Sequence, residues 1–289
     1  MGFEKYLSFL IGFFLVFGLP AISPAGSGNT GETFYFAVSA MASPAQTLVH
    51  FSEFQDYLAE KLGTPTLLKQ RRTYEEINEL LAREKVQMAF TCTGGYLSGR
   101  KAFGLELLAV PVMNGKTRYR SYIITRAESL ARSLADLKDS VFAFTDPLSL
   151  TGYIYPTARI NQMGLTTTEF FQKTFYTESH DKSIEAVATG VADGAAVDSL
   201  IFDALRKQPD SFAGRLKIIE RSEEFGMPPV VVPPGLSVKL KRKLLKVLLS
   251  MDHDPEGQKV LHSLGMDGFV LPDPELYRSA ILLRKQVHE

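Results

Sequence analysis

Cysteine is almost absent: Cys92 stands alone among 289 residues, so no internal disulfide is available. It sits in the apolar run Met88-Ala-Phe-Thr-Cys92 and reads as a small core residue rather than a reactive thiol. A chain without disulfides still suits export when its core is large enough to need no staple. Apolar residues make up 45% of it and charged residues 22%, which is ordinary for a globular protein. Net charge is also missing, since 32 Lys plus Arg balance 32 Asp plus Glu. That excludes a whole-chain electrostatic footprint for nucleic acid. The 5 histidines, at positions 50, 180, 253, 262 and 288, show no H-E-x-x-H spacing. No serine occupies G-x-S-x-G, and Cys92 has no evident base. The expectation is therefore a protein that is not an enzyme, with no metal and no cofactor. Tryptophan is absent, and nothing follows from that.

A long apolar run stands at the start, Tyr6 to Gly18, after Lys5 and before the small residues Ser23 and Ala25. It is short for a span of ~20 residues. Residues 1–25 read as a secretory signal peptide cleaved after about Ala25. No cysteine follows the run, so a lipid anchor is not expected and the mature chain is expected in the periplasm.

Beyond this segment the pattern alternates between strand and helix. Thr33 to Ser39 is β-branched, aromatic and uncharged, a buried strand. Ser43-Pro44-Ala-Gln46 opens a helix with Leu48, Phe51, Phe54, Leu58 and Leu62 inward, stopped by Gly63. Thr73-Tyr-Glu-Glu76 and Thr166-Thr-Thr-Glu169 are further capping boxes. Strands are predicted at 66–69, 86–92, 105–113, 118–125, 141–145, 174–176 and 195–197. Strand alternating with helix at this spacing predicts an α/β fold of parallel sheets with helices on both faces. There are two such series. Pro-stiffened residues 225–235 cross back between them, and a basic-faced helix comes next, over about Ser237 to Met251. Its lysines read as a solvated face, because no aromatics are interleaved.

Ligands of such folds bind beyond the carboxyl ends of the strands. Those ends are rich in hydroxyls and poor in Lys and Arg: Ser39–Ser43, Thr91–Tyr96, Ser149–Gly152, Ser179–Asp181 and Asp198. A helix start offers unpaired N–H groups and partial positive charge. Ser149 and Thr151 can add two donors, and Gly152, lacking Cβ, can let an anion approach. The same residues also read as a plain helix cap. His180 is equally a loop histidine, Asp198 a cap, and Tyr74 and Tyr96 ordinary aromatics. If His180 faces an anion, ligand binding is expected to raise its pKa and take up a proton.

Three segments carry a resemblance: Phe144-Thr-Asp-Pro-Leu-Ser-Leu-Thr-Gly-Tyr-Ile-Tyr-Pro156, Ser179-His-Asp-Lys-Ser183 and Gly190-Val-Ala-Asp-Gly-Ala-Ala-Val-Asp-Ser199. His253-Asp-Pro-Glu-Gly257 and Gly265-Met-Asp-Gly-Phe269 support it. The chain resembles the periplasmic phosphate/phosphite/phosphonate-binding proteins of ABC importers. The resemblance covers nearly all of the mature chain. It departs at Leu150, where the family usually has a hydroxyl, and in Thr91-Cys-Thr-Gly-Gly-Tyr96, which keeps the family's tyrosine with a different approach. It implies a two-lobed periplasmic-binding-protein fold with two crossover hinge strands. Residues 26–122 and 230–289 would form lobe 1, and residues 123–229 lobe 2. It implies a solute-binding protein for a small phosphorus oxyanion, held by Tyr74, Tyr96, Ser149, Thr151, Gly152 and His180, with Asp198 facing a ligand substituent such as an amino group. An inner-membrane ABC permease is the implied partner and a monomer the expected state. The alternatives are an input protein for a membrane sensor and a binder of another small anion.

Overall fold

The computed structural model describes residues 32–287. The segment read as a signal peptide lies outside the described residues. Hydrophobic β-formers and capped amphipathic runs alternate first as β1 (Phe34–Val38), α1 (Pro44–Leu62), β2 (Thr66–Gln70), α2 (Tyr74–Ala82), β3 (Met88–Phe90), α3 (Thr93–Phe103) and β4 (Glu106–Val112). The chain then crosses through β5 (Arg118–Tyr119) into β6 (Ser121–Arg126) and β7 (Val141–Phe144). A π-helical turn at Leu150–Ile154 leads into α4 (Tyr155–Gln162), α5 (Thr167–Phe170) and β8 (Lys173–Tyr176). α6 (His180–Ala188), β9 (Gly194–Asp198), α7 (Ser199–Arg206) and β10 (Leu216–Arg221) complete this second series. The chain returns by β11 (Phe225–Gly226) and β12 (Val230–Val232) to α8 (Val238–Leu249), α9 (Pro255–Leu264), β13 (Gly268–Val270) and α10 (Arg278–Arg284).

These strands make two sheets, ordered β13-β4-β12-β3-β1-β2 and β10-β6-β9-β7-β8, and a ribbon of β11 with β5. The α/β class holds, while each ladder is mixed rather than purely parallel. β1 runs parallel to β2 and β3, and β7 runs parallel to β8 and β9, as strand-helix-strand units require. The strands next to the crossings run the other way. β12 is antiparallel to both β3 and β4, and β6 is antiparallel to β9 and β10. A strand that arrives from the other sheet has no helix to turn it round. The stretch 118–125 therefore breaks at Arg120, with β5 pairing with β11 (Tyr119 opposite Phe225) and β6 entering the second sheet.

Each sheet has a private core. Phe36, Phe54, Leu58, Leu244 and Leu248 fill one face of the first sheet. Ile124, Ile184, Val187, Val197 and Phe202 fill one face of the second. A third cluster spans both: Leu150, Ile154 and Tyr155 share it with Tyr96, Leu97, Phe225, Met227 and Tyr277. Leu48 does not point inward as its spacing predicts; it is 57% exposed. At 100° per residue it falls roughly 60–120° from Phe51, Phe54 and Leu58, on the margin of the buried stripe. In α8, Lys241 pairs with Glu106 at 2.7 Å and Lys243 donates to the Leu62 carbonyl at 2.6 Å, so part of the basic face is docked.

Candidate functional site

The two sheets face each other through the loops at the carboxyl ends of β1, β3, β7 and β9. After β7 the chain turns at Asp146, whose carbonyl accepts Ser149 N–H at 2.8 Å. Ser149 caps the next turn, its Oγ accepting Gly152 N–H at 2.9 Å. Tyr155 N–H donates back five residues to the Leu150 carbonyl, which makes this turn a π-helix. Ser121 Oγ donates to the Thr151 carbonyl at 2.7 Å and fixes the turn on β6. Ser149 thus serves as a cap, yet its O–H proton remains available to an acceptor. The Thr151 hydroxyl makes no hydrogen bond to another described residue. Gly152 is needed for a different reason than the one its sequence position suggests. A Cβ there would lie 2.4 Å from Thr145 Oγ1, so the space is filled by Thr145 rather than left open to an anion.

His180 and Asp198 meet on this floor. The His180 ring is 1% exposed. Its Nδ1 accepts Asp198 N–H at 3.1 Å and lies 3.0 Å from Thr145 Oγ1. An Nδ1 that accepts a backbone N–H leaves the ring proton on Nε2, so neutral His180 presents a donor. Burial pushes the imidazole down to about 3, against the smaller pull of Asp181. Asp198 caps α7 through Oδ1, which accepts Leu200 N–H at 2.6 Å. Burial pushes its carboxyl up to about 7, with the amides of Leu200 and Ile201 opposing.

The start of α2 supplies Tyr74 and the crossing strand β5 supplies Tyr119. Tyr74 is fully buried and its hydroxyl has no hydrogen-bond partner. Burial raises its pKa well above the usual phenol range, and Cys92, Asp146 and Asp198 add to the shift through their charge. Tyr119 is 3% exposed, its pKa raised by burial and then by Cys92 and Asp198. Spacing did not single it out, because it sits in a two-residue strand with no capping signal. Tyr96 is placed elsewhere: its ring packs on Tyr277, centroids 5.1 Å apart, and its hydroxyl lies beside Arg100. The structure brings together Tyr74, His180 and Asp198, with Ser149, Thr151 and Gly152 on the adjoining turn, and leaves Tyr96 in the shared core. Cys92 is buried and its thiol is pushed up to about 12 by burial, as an inert core residue.

Hydrogen bonds close one side over the other. Tyr74 N–H donates to Asp146 Oδ2 at 3.1 Å, Ser43 N–H to Asp181 Oδ2 at 3.2 Å, and His180 N–H to the Met41 carbonyl at 3.1 Å. Arg72 pairs with Glu178 at the rim. Cys92 Sγ lies 3.6 Å from the Leu148 carbonyl. A Cβ on Gly94 would come within 2.1 Å of that same carbonyl, so only glycine permits this approach. Among the described residues no group of His, Cys, Asp and Glu is placed to hold a metal ion. A cavity of about 690 Å³ is lined by Tyr155, Arg159, Glu220, Arg221, Ser279 and Leu283 among others and shares no residue with the His180–Asp198 network.

Comparison with known proteins agrees with this architecture. A family described as the periplasmic substrate-binding protein of phosphonate ABC transporters matches residues 36–277. A phosphate-import protein PhnD of Mycolicibacterium smegmatis is 25% identical over 210 residues, which is 68% of this chain and 65% of that protein. The match thus spans just under two thirds of that relative's length. A binding-protein component of an ABC phosphonate transporter from Pseudomonas aeruginosa superposes with TM-score 0.81 at 23% identity, covering 88% of this chain and 86% of that one. PhnD1 of Prochlorococcus marinus, solved with methylphosphonate, superposes with TM-score 0.79 at 16% identity, covering 88% and 97%. Both solved proteins share the two-lobed architecture of this chain.

Proposed function

The chain belongs to the family of periplasmic substrate-binding proteins of phosphonate ABC transporters, and from that premise we propose that it holds a small phosphorus oxyanion between its lobes. The ligand is a phosphonate, phosphite or phosphate, and the recipient is an inner-membrane ABC permease. The described parts of the lobes are residues 32–122 with 230–287, and residues 123–229. The protein binds and releases without catalysis, as a monomer, in the periplasm.

One observation supports the site above others: the Tyr74 hydroxyl is buried with no partner, and neutral His180, whose Nδ1 accepts Asp198 N–H, carries its ring proton on Nε2. A buried hydroxyl without a hydrogen bond is costly, and an oxyanion would satisfy it. The hydroxyls of Ser149 and Thr151 add uncharged donors from the second lobe. Tyr119 belongs to the same set, and Tyr96 supports it from behind. Asp198 faces the ligand substituent. A carboxyl there suits an alkylphosphonate that carries an amino group.

The test is a thermal-shift and calorimetric panel on the exported chain with phosphate, phosphite, methylphosphonate, 2-aminoethylphosphonate and sulfate. The expected result is stabilisation by at least one phosphorus oxyanion and none by sulfate. Stabilisation by sulfate alone, or by none of the five, would overturn the reading.

A further inference from the structure

Two carboxylates of the second lobe are spent on helices of the first. Asp146 Oδ2 accepts the N–H of Tyr74, the first residue of α2, while Oδ1 accepts Leu148 N–H in its own loop at 2.8 Å. Asp181 Oδ2 accepts the N–H of Ser43, the residue before α1. Neighbouring amides at the α2 start are satisfied locally. Thr73 Oγ1 accepts Glu76 N–H at 3.2 Å, and the Glu76 carboxylate accepts the N–H groups of Thr73 and Arg72, both at 3.0 Å. The Tyr74 N–H is one of the amides this local box leaves over. At α1 the Ser43 side chain makes no cap hydrogen bond. Asp146 is 2% exposed and reaches Tyr74 in a dry contact, where a charge-assisted hydrogen bond is strong. A carboxylate at a helix start also gains from the aligned peptide dipoles.

We propose that Asp146 and Asp181 are positioning residues that clasp the lobes together without touching ligand, by capping α2 and α1 from across the cleft. The proposal rests on the reading of an interlobe ligand given above. Asp146 holds the start of α2, and with it the Tyr74 ring that reaches the site. Closure then draws on the protein's own carboxylates as well as on the ligand. A fraction of ligand-free protein is therefore closed, and bound ligand leaves more slowly than its own contacts would dictate. Asn cannot replace Asp146, because the two amides sit on different carboxylate oxygens and the NH2 group that takes the place of one of them meets an N–H.

Spin labels on Glu60→Cys and Arg206→Cys, both exposed and on opposite lobes, report lobe separation by pulsed electron resonance; buried Cys92 stays unlabelled. In otherwise wild-type protein without ligand, a closed population is expected. Asp146→Asn lowers the closed-to-open ratio about tenfold, and Asp181→Asn lowers it less, because its contact is less buried. The dissociation rate of methylphosphonate rises by a similar factor, while the unfolding midpoint barely moves. A merely structural residue would shift the midpoint and leave the ratio alone. Unchanged distances and off-rates in the two folded variants would overturn the clasp. If Asp146→Asn fails to fold, Asp181→Asn decides alone. If no phosphorus oxyanion binds, the ligand reading fails, while the ligand-free distances still decide the clasp.

Discussion

The imidazole of His180 is committed on one side, because Nδ1 accepts Asp198 N–H. Protonating Nδ1 would break that bond inside a dry site, and burial already holds the ring down to about 3. The proton uptake expected at His180 from residue order therefore moves to Asp198, whose carboxyl stands at about 7. An anion without a cationic arm pushes that carboxyl higher and brings in up to one proton. A ligand with an ammonium group keeps it ionised and brings in none. Calorimetry near pH 7.5 in buffers of different ionisation enthalpy reads the count. Uptake with methylphosphonate should persist in His180→Gln and vanish in Asp198→Asn; the opposite pattern would return the proton to the imidazole. The same two groups shape stability. Between about 3 and 6.5 the unfolded His180 binds a proton that the folded ring refuses, so its contribution is lost as pH falls through that window. Asp198 acts in the opposite sense: its contribution is complete below 3.8 and is lost as pH rises to about 7. The two slopes cancel between 3.8 and 6.5. Asp198→Asn leaves His180 alone, so its unfolding temperature should fall from pH 6.5 to pH 4 more steeply than that of the wild type. The hydroxyls are the remaining test at this scale. Ser149→Ala with Thr151→Val should weaken binding by ~2–4 kcal/mol through two lost donors. Ser149 also caps the turn, so ~1 kcal/mol of fold stability should go with it.

At the scale of elements, local chemistry announces itself where it is local. The reciprocal box of Thr73 with Glu76 is present as its spacing predicts, and Thr73→Ala should cost about 1 kcal/mol in denaturant unfolding. The box of Thr166 with Glu169 is present too, yet α5 stops after one turn. Ser43 shows the limit of local reading. It begins a helix, but the partner of its N–H is Asp181, 138 residues away, and spacing carries no trace of it. The mixed ladders were hidden for a similar reason: strand patterns give length and burial, not direction. Tyr119 was hidden because a two-residue strand has no periodicity. Gly152 was legible as a necessary glycine, but its reason was not. Gly152→Ala would drive a Cβ into Thr145, which also positions His180. The expected loss is about 1–3 kcal/mol of stability together with weaker binding. Normal stability in that variant would show that Thr145 has room to yield.

For the whole molecule, the seam between the lobes joins two kinds of contact. One is polar and spans the site: Tyr74 with Asp146, Ser43 with Asp181, His180 with Met41 and Arg72 with Glu178. The other is apolar: Leu150 and Ile154 pack in one cluster with Tyr96 and Leu97 of α3. Leu150 is fully buried in this seam and adds apolar area to closure instead of a donor to the ligand. Two crossing segments join the lobes, and their strands β5 and β11 pair only with each other, a connection that can flex while both sheets stay intact. Methylphosphonate, or whichever phosphorus oxyanion the panel identifies, should therefore shift the protein toward the closed form and lower its radius of gyration in small-angle scattering. Gly94 is the residue on which that shift can be blocked, since a Cβ there meets the Leu148 carbonyl only when the lobes touch. Gly94→Ala should weaken binding roughly ten- to hundredfold, the equivalent of 1–3 kcal/mol of overpacking. Its unfolding midpoint should stay near that of the wild type, because each sheet keeps its own core. It should also scatter as the larger form at ligand concentrations that compact the wild type. Identical profiles with and without ligand in the wild type at saturation would mean that the ligand enters without any movement of the lobes.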